Sequence, residues 1–200
     1  MGPREIIVLR HAEEPSEPFE QALSTLRETR LRPEVVLEEA PAPQRLAPHA
    51  VALTADVLLD DDELATGRFV LLHDPAGHEA WDGAFRAVTY VRAALEPEMA
   101  ADPLVTTVAW TWLLEALDAR HAGFHAPSGT VTRVTSESFG AMSDRPIAAE
   151  LEVRASWTPD GSDLGAHLQA WSDVLCQAGG LPPLPHGVVT LGHRRPGHRS

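Results

Sequence analysis

The chain of 200 residues contains no lysine and no asparagine, and it has one cysteine. All sixteen of its basic residues are therefore arginine. Without lysine there is no Schiff-base nucleophile and no P-loop lysine to cradle a phosphate, so two classes of catalysis are excluded. Without a second cysteine there is no disulfide and no thiolate metal cluster. Cys176 lies within an apolar helical run, where cysteine behaves as a small buried hydrophobe. Long hydrophobic runs are missing as well. Residues 5–9 (EIIVL) are too short for a signal-peptide core or a membrane span. These features lead to the expectation of a cytoplasmic protein.

Positive charge is scarce. Acidic residues number 29 and the net charge is −13, which argues against nucleic acid and anionic membranes as partners. Hydrophobic residues make up 44% of the chain, enough for one domain with a sizeable core. The organisation expected is a flexible N-terminal segment over 1–18, a single α+β domain over 19–192 and a basic disordered tail over 193–200.

What is present is a repeat. Gly67 opens a stretch that reaches Val91-Arg92-Ala93 and Pro97; Gly129, 62 positions on, opens another that reaches Val153-Arg154-Ala155 and Pro159. An apolar helical run follows each. The pattern predicts a duplicated strand–strand–helix unit over 67–123 and 129–180.

Side-chain periodicity places the elements. Phe19, Ala22, Leu23 and Leu26 fall at helical spacing, and Pro33 ends that run. Strands are expected at 35–37, 49–58 and 67–73, with the acidic run Asp60–Glu63 as a solvated hairpin turn; the EF-hand order of Ca²⁺ ligands is lacking. In the strand 84–95, Phe85, Ala87, Thr89, Val91, Ala93 and Leu95 share one face, and Arg86, Val88, Tyr90 and Arg92 the other. In the second copy Ile147, Ala149, Leu151, Val153, Ala155 and Trp157 share a face opposite Glu150, Glu152 and Arg154. Asp102-Pro103 starts a helix with the stripe Val105, Val108, Ala109, Trp112, Leu113 and Ala116. Ser162 or Asp163 caps a second helix with the stripe Leu164, Leu168, Trp171, Leu175 and Ala178, stopped by Gly179-Gly180. The fold expected is α+β, a mainly antiparallel sheet with helices on one face. That order is similar in outline to type III secretion chaperones and YbjN-like proteins.

No motif specifies a reaction. Among ten histidines, His73 and His78 flank a turn, and His121 and His125 straddle Gly123, so no metal-ligand spacing arises. The hydroxyl run at 130–140 has no GxSxG. Trp112, Trp157 and Trp171 occupy core positions. No metal or cofactor is expected. EIIVLRHAE (5–13) resembles the opening of histidine phosphatases, with Arg10-His11 toward a phosphate, and VVTLGHRRPG (188–197) resembles their second histidine strand, with His193 as partner. Against this phosphomonoesterase alternative, Ser24–Arg27 lies too close to serve as the family's arginine motif, and residues 48–160 lack a parallel α/β pattern.

The surface that attracts a functional reading is Arg86, Val88, Tyr90, Arg92 and Arg154. Arginine and tyrosine with apolar residues between them make the composition of interface hot spots. The plain alternative is cross-strand ion pairing with Glu150 and Glu152.

PEVVLEEAPAPQRLAP (33–48), ELATGRFVLLHDPAGHEAW (63–81), LEPEMAADPL (95–104), SGTVTRVTSESFG (128–140) and AELEVRASWTP (149–159) resemble a family of uncharacterised actinobacterial proteins, domain of unknown function number three thousand. The resemblance covers about residues 19–192. It implies a stand-alone cytosolic protein without an assigned activity and carries over no catalytic residue. The leading expectation is thus a non-enzymatic interaction or chaperone-like module, its partner an unidentified protein or a second copy of the chain. A small-molecule-binding domain is a further alternative.

Overall fold

The computed structural model describes residues 16–183. The chain runs through α1 (Glu17–Glu28), β1 (Val35–Ala40), β2 (His49–Leu59), β3 (Asp62–His78), β4 (Gly83–Leu95), α2 (Pro97–Ala101), α3 (Val105–Ala119), β5 (Phe124–Ser136), β6 (Ala148–Pro159) and α4 (Gly165–Ala178). The strands form one sheet in the order β1-β2-β3-β4-β6-β5, and every neighbouring pair is antiparallel. The expected α+β class is what is found.

Local chemistry accounts for the joins. Pro18 lies in the first turn of α1, and Glu17 and Glu20 face its positive end. Asp60 and Asp61 both take the left-handed conformation, with φ of 51° and 73°, so the acidic run is the tight turn of the β2–β3 hairpin. The Asp102 carboxylate accepts from the Leu104 amide at 2.8 Å, and Asp163 from the Gly165 amide at 3.2 Å. The N-cap of α4 is Leu164, not the expected Ser162 or Asp163; Asp163, one residue earlier, closes a local turn ahead of the helix.

One sheet face supplies the core. Val51, Leu53, Ala55 and Val57 of β2, Ala65, Phe69 and Leu71 of β3, and the odd-numbered residues of β4 and β6 are buried under α1, α3 and α4. Val91, Val153, Leu95 and Trp157 all face this way. Ile147 does not. It precedes β6, is 55% exposed, and corrects the expected face of six. Trp112 is only half-buried, because its turn of α3 also meets solvent.

Helix α4 seats the other helices. Trp171 lies on β3 where Gly67 offers no side chain, and its indole N–H reaches the Tyr90 carbonyl at 3.3 Å. Arg120, just beyond α3, clasps Asp173 of α4 through two bonds of 2.6 and 2.8 Å. Thr25 of α1 accepts from the Leu164 amide at the start of α4. A Cβ on Gly67 would come within 2.7 Å of the Tyr90 carbonyl and 2.8 Å of the Trp171 ring. Neither can yield, so Gly67→Ala should cost about 1–3 kcal/mol, the usual range for overpacking. A shifted denaturation midpoint at unchanged m-value would show it.

Beneath α4, the buried His167 accepts from the Trp157 indole at Nδ1, 3.0 Å away. Burial pushes its pKa down to about 4. The unfolded chain takes up this proton near pH 6.5, the folded chain only near 4. Its contribution is therefore complete above pH 6.5 and lost as pH falls toward 4. Between about pH 7 and pH 4, wild type should lose roughly 3 kcal/mol more than His167→Gln, in which a side-chain oxygen still accepts from Trp157. Urea titrations at both pH values measure this. Equal losses would exclude His167 as the linked group.

Candidate functional site: the open sheet face

With the helices on one side, the even-numbered side chains of β2, β3, β4 and β6 stand on the other. Register sets them in rows. Arg68, Tyr90, Arg154 and Thr130 lie in one row across β3, β4, β6 and β5, and Val70, Val88, Ser156 and Ser128 in the next. Asp56, Thr66, Arg92, Glu152 and Thr132 form the row on the other side of Tyr90. Of the five residues expected to form one surface, Val88, Tyr90, Arg92 and Arg154 stand in these rows.

Their environments differ. Arg92 forms a double contact with Glu150, at 3.2 and 2.5 Å. Arg154 meets Glu152 at 2.6 Å and stands over the Tyr90 ring, 5.2 Å from its centre. The Tyr90 hydroxyl donates to Glu152 at 3.1 Å, and burial followed by this carboxylate raises its pKa. Val88 is 37% exposed. Arg86, expected on a solvated face, is instead buried. The start of β5 bulges between His125 and Ser128 and folds across its guanidinium.

A groove of about 520 Å³ opens between these rows, lined by Arg68, Val88, Tyr90, Ser128, Thr130 and Arg154, among others. Arg68, Ser128 and Ser156 were missed in the sequence reading. Parity alone could have put Ser156 beside Arg154, whereas Arg68 and Ser128 need strand register to be placed.

Other sequence candidates separate. Arg10, His11 and His193 lie outside the described residues. His73 is buried, stacked between Phe19, His49 and Phe85, with Ser16 at 3.3 Å. Desolvation lowers its pKa. His78 stacks on Trp81, and His121 is exposed. His125 faces the Asp82 carbonyl at 2.9 Å and the Asp160 carboxylate at 2.7 Å, which raise its pKa in that order and tie the β3–β4 turn to the end of β6. Among the described residues, no group of three or more His, Cys, Asp or Glu side chains converges as metal ligands would. Burial pushes the Cys176 thiol up to about 11, well away from a nucleophile. No helix among the described residues is long and apolar enough to cross a membrane.

These features define a class: an antiparallel α+β domain whose helices cover one sheet face and leave a grooved, arginine-rich face open. The chain belongs to the family described as protein of unknown function, DUF3000, which it matches over residues 15–189. No curated protein and no solved structure matches it.

The face is not needed for folding in the way the helical side is. Val88→Ser should change stability by no more than about 0.5 kcal/mol, as is usual for exposed positions. Arg92→Ala should leave the melting temperature unchanged, since exposed ion pairs contribute little. Thermal melts of both variants check this.

Proposed function

We propose that the protein is a non-enzymatic cytosolic interaction module of chaperone-like build, and that a protein partner docks on the open sheet face. The observation that carries this is the placement of Val88 and Tyr90. They stand in the middle of an uncovered six-stranded sheet, flanked by arginines, where a protein without a partner would more simply carry polar residues. The Arg92–Glu150 and Arg154–Glu152 pairs hold the surrounding charge in place. Docking would then order few side chains, which lowers the entropic cost of association.

The same reading takes β3–β4–α3 and β5–β6–α4 as copies of one unit. In support, Val91 pairs with Val153, each the counterpart of the other at the repeat spacing, so β4 and β6 run antiparallel about a local two-fold. In further support, the two strand glycines are used alike. Gly67 receives Trp171 from the second unit, and Gly129 receives Trp110 from the first. The likeness to secretion chaperones and YbjN-like proteins is one of layout, and the chaperone part of the proposal rests on that analogy.

Tagged wild type, Val88→Glu and Tyr90→Glu would be compared by affinity capture from native cytosol, analytical ultracentrifugation and thermal melting. The expected result is a partner, or a second copy, that both variants lose at unchanged melting temperature. A wild type that is monomeric and captures nothing, or variants that keep the partner, would overturn the reading.

A further inference from the structure

Two cations on this face, Arg68 and Arg86, have no negative partner among the described residues, and Arg86 is the buried one. Arg86 is 8% exposed, and its hydrogen bonds all end on neutral oxygens. One guanidinium nitrogen donates to the Ala126 carbonyl and Thr158 Oγ1, both at 3.0 Å. The other donates to Ser128 Oγ at 3.0 Å and Ser156 Oγ at 2.8 Å. Burial lowers its pKa. Arg92 and Arg154, by contrast, each have a glutamate. A buried charge without a counter-charge is destabilising, so its retention calls for something that makes use of it.

The serines show where the charge is directed. Ser128 and Ser156 accept from the same guanidinium nitrogen, and their oxygens are 3.2 Å apart. One hydroxyl hydrogen bridges that pair. The other remains free to donate, polarised by the arginine behind it, and both serines line the groove. Arg68 and Arg154 stand on the same groove with Thr130, and no acidic side chain lines it. Arg68 donates to the Pro41 carbonyl and has no carboxylate partner among the described residues. The rest of the wall is Val88, Tyr90, Gly129 and Ala155, with Thr89, whose hydroxyl is turned to the Ala155 carbonyl.

We propose that this groove is a binding site for a small organic acid, a monoanionic carboxylate with an apolar body. The carboxylate would sit on the free serine hydroxyl between Arg86 and Arg154, and its apolar part along Val88 and the Tyr90 ring. Size and lining suit a small molecule, since such sites are concave and mostly apolar with a few convergent polar groups. The overall charge of −13 selects against polyanions, whose approach it opposes charge by charge, far more than against a single carboxylate. This inference goes beyond protein docking and requires no partner.

Octanoate and phenylacetate, with octanamide and inorganic phosphate beside them, would be titrated into the full-length protein by calorimetry and protein-observed NMR. The two carboxylates should bind saturably and weaken with added salt, while the neutral amide binds at least tenfold more weakly. The double variant Ser128→Ala/Ser156→Ala, which keeps Arg86, should lose at least tenfold in octanoate affinity, and Arg154→Ala should lose a comparable amount. Arg86→Met should abolish binding; if that protein does not fold, the serine variant decides. No saturable binding in the millimolar range, equal binding of acid and amide, tighter binding of phosphate than of either carboxylate, or full affinity in the serine variant would each overturn the proposal. None of these results touches the docking reading, which is scored by partner capture with Val88→Glu. A wild type that captures nothing yet binds octanoate would remove docking and leave this site standing.

Discussion

The contact on which the rest of the architecture depends is the close approach of α4 to β3 at Gly67. Removing one side chain from the strand lets the Trp171 ring lie against the backbone and bond to the Tyr90 carbonyl. Buried rings of this size bring large apolar area into the core, and Phe69, Trp157 and Trp171 pack on one another there. Because α1 and α3 are fastened to α4 by Thr25 and Arg120, the depth at which Trp171 seats sets the position of the whole helical layer.

That layer leaves the opposite face of the sheet without a helix among the described residues. Helices on one side only give a two-layer protein, and the uncovered side of the central strands becomes a rigid platform whose side chains are fixed by register. The platform combines two kinds of arginine. Arg92 and Arg154 are held by glutamates and shape the surface. Arg86 is roofed by the bulged start of β5 and donates to the hydroxyls of Ser128 and Ser156. A site built this way needs no mobile loop, because the strands that form the sheet also place the groups.

Much of this could be read from the chain, for identifiable reasons. Alternation in β4 and β6 is strong, so the helical and opposite faces of both strands follow from periodicity, and Val88, Tyr90, Arg92 and Arg154 were placed on one face together. The hairpin at Asp60-Asp61 is local chemistry and was equally legible, whereas the cap of α4 falls on Leu164, one residue past Asp163. Ile147 was misplaced because alternation does not mark the residue at which a strand begins. The first part of β5 (Phe124–Ser128) and the short α2 were missed; β5 bulges there with Ala126 at a positive φ, which alternation does not show. The burial of Arg86 was not legible for the same reason, since it depends on a bulge in a strand 40 residues away. Register across β3, β4, β6 and β5 is a tertiary property, and it alone brings Arg68 and Ser128 to the groove.

The two edges of the sheet are unlike. β1 is short and carries Glu38 and Glu39, the acidic guard that discourages another strand from adding. β5 is longer and mostly exposed, and its one arginine, Arg133, is turned away to the Ala100 and Asp102 carbonyls. A sheet with two receptive edges can propagate without limit into a fibre, while one with a single receptive edge is exhausted by the first addition. Any growth of this sheet by strand pairing at β5 therefore ends at two molecules, so the asymmetry acts as a chain terminator against open-ended polymerisation.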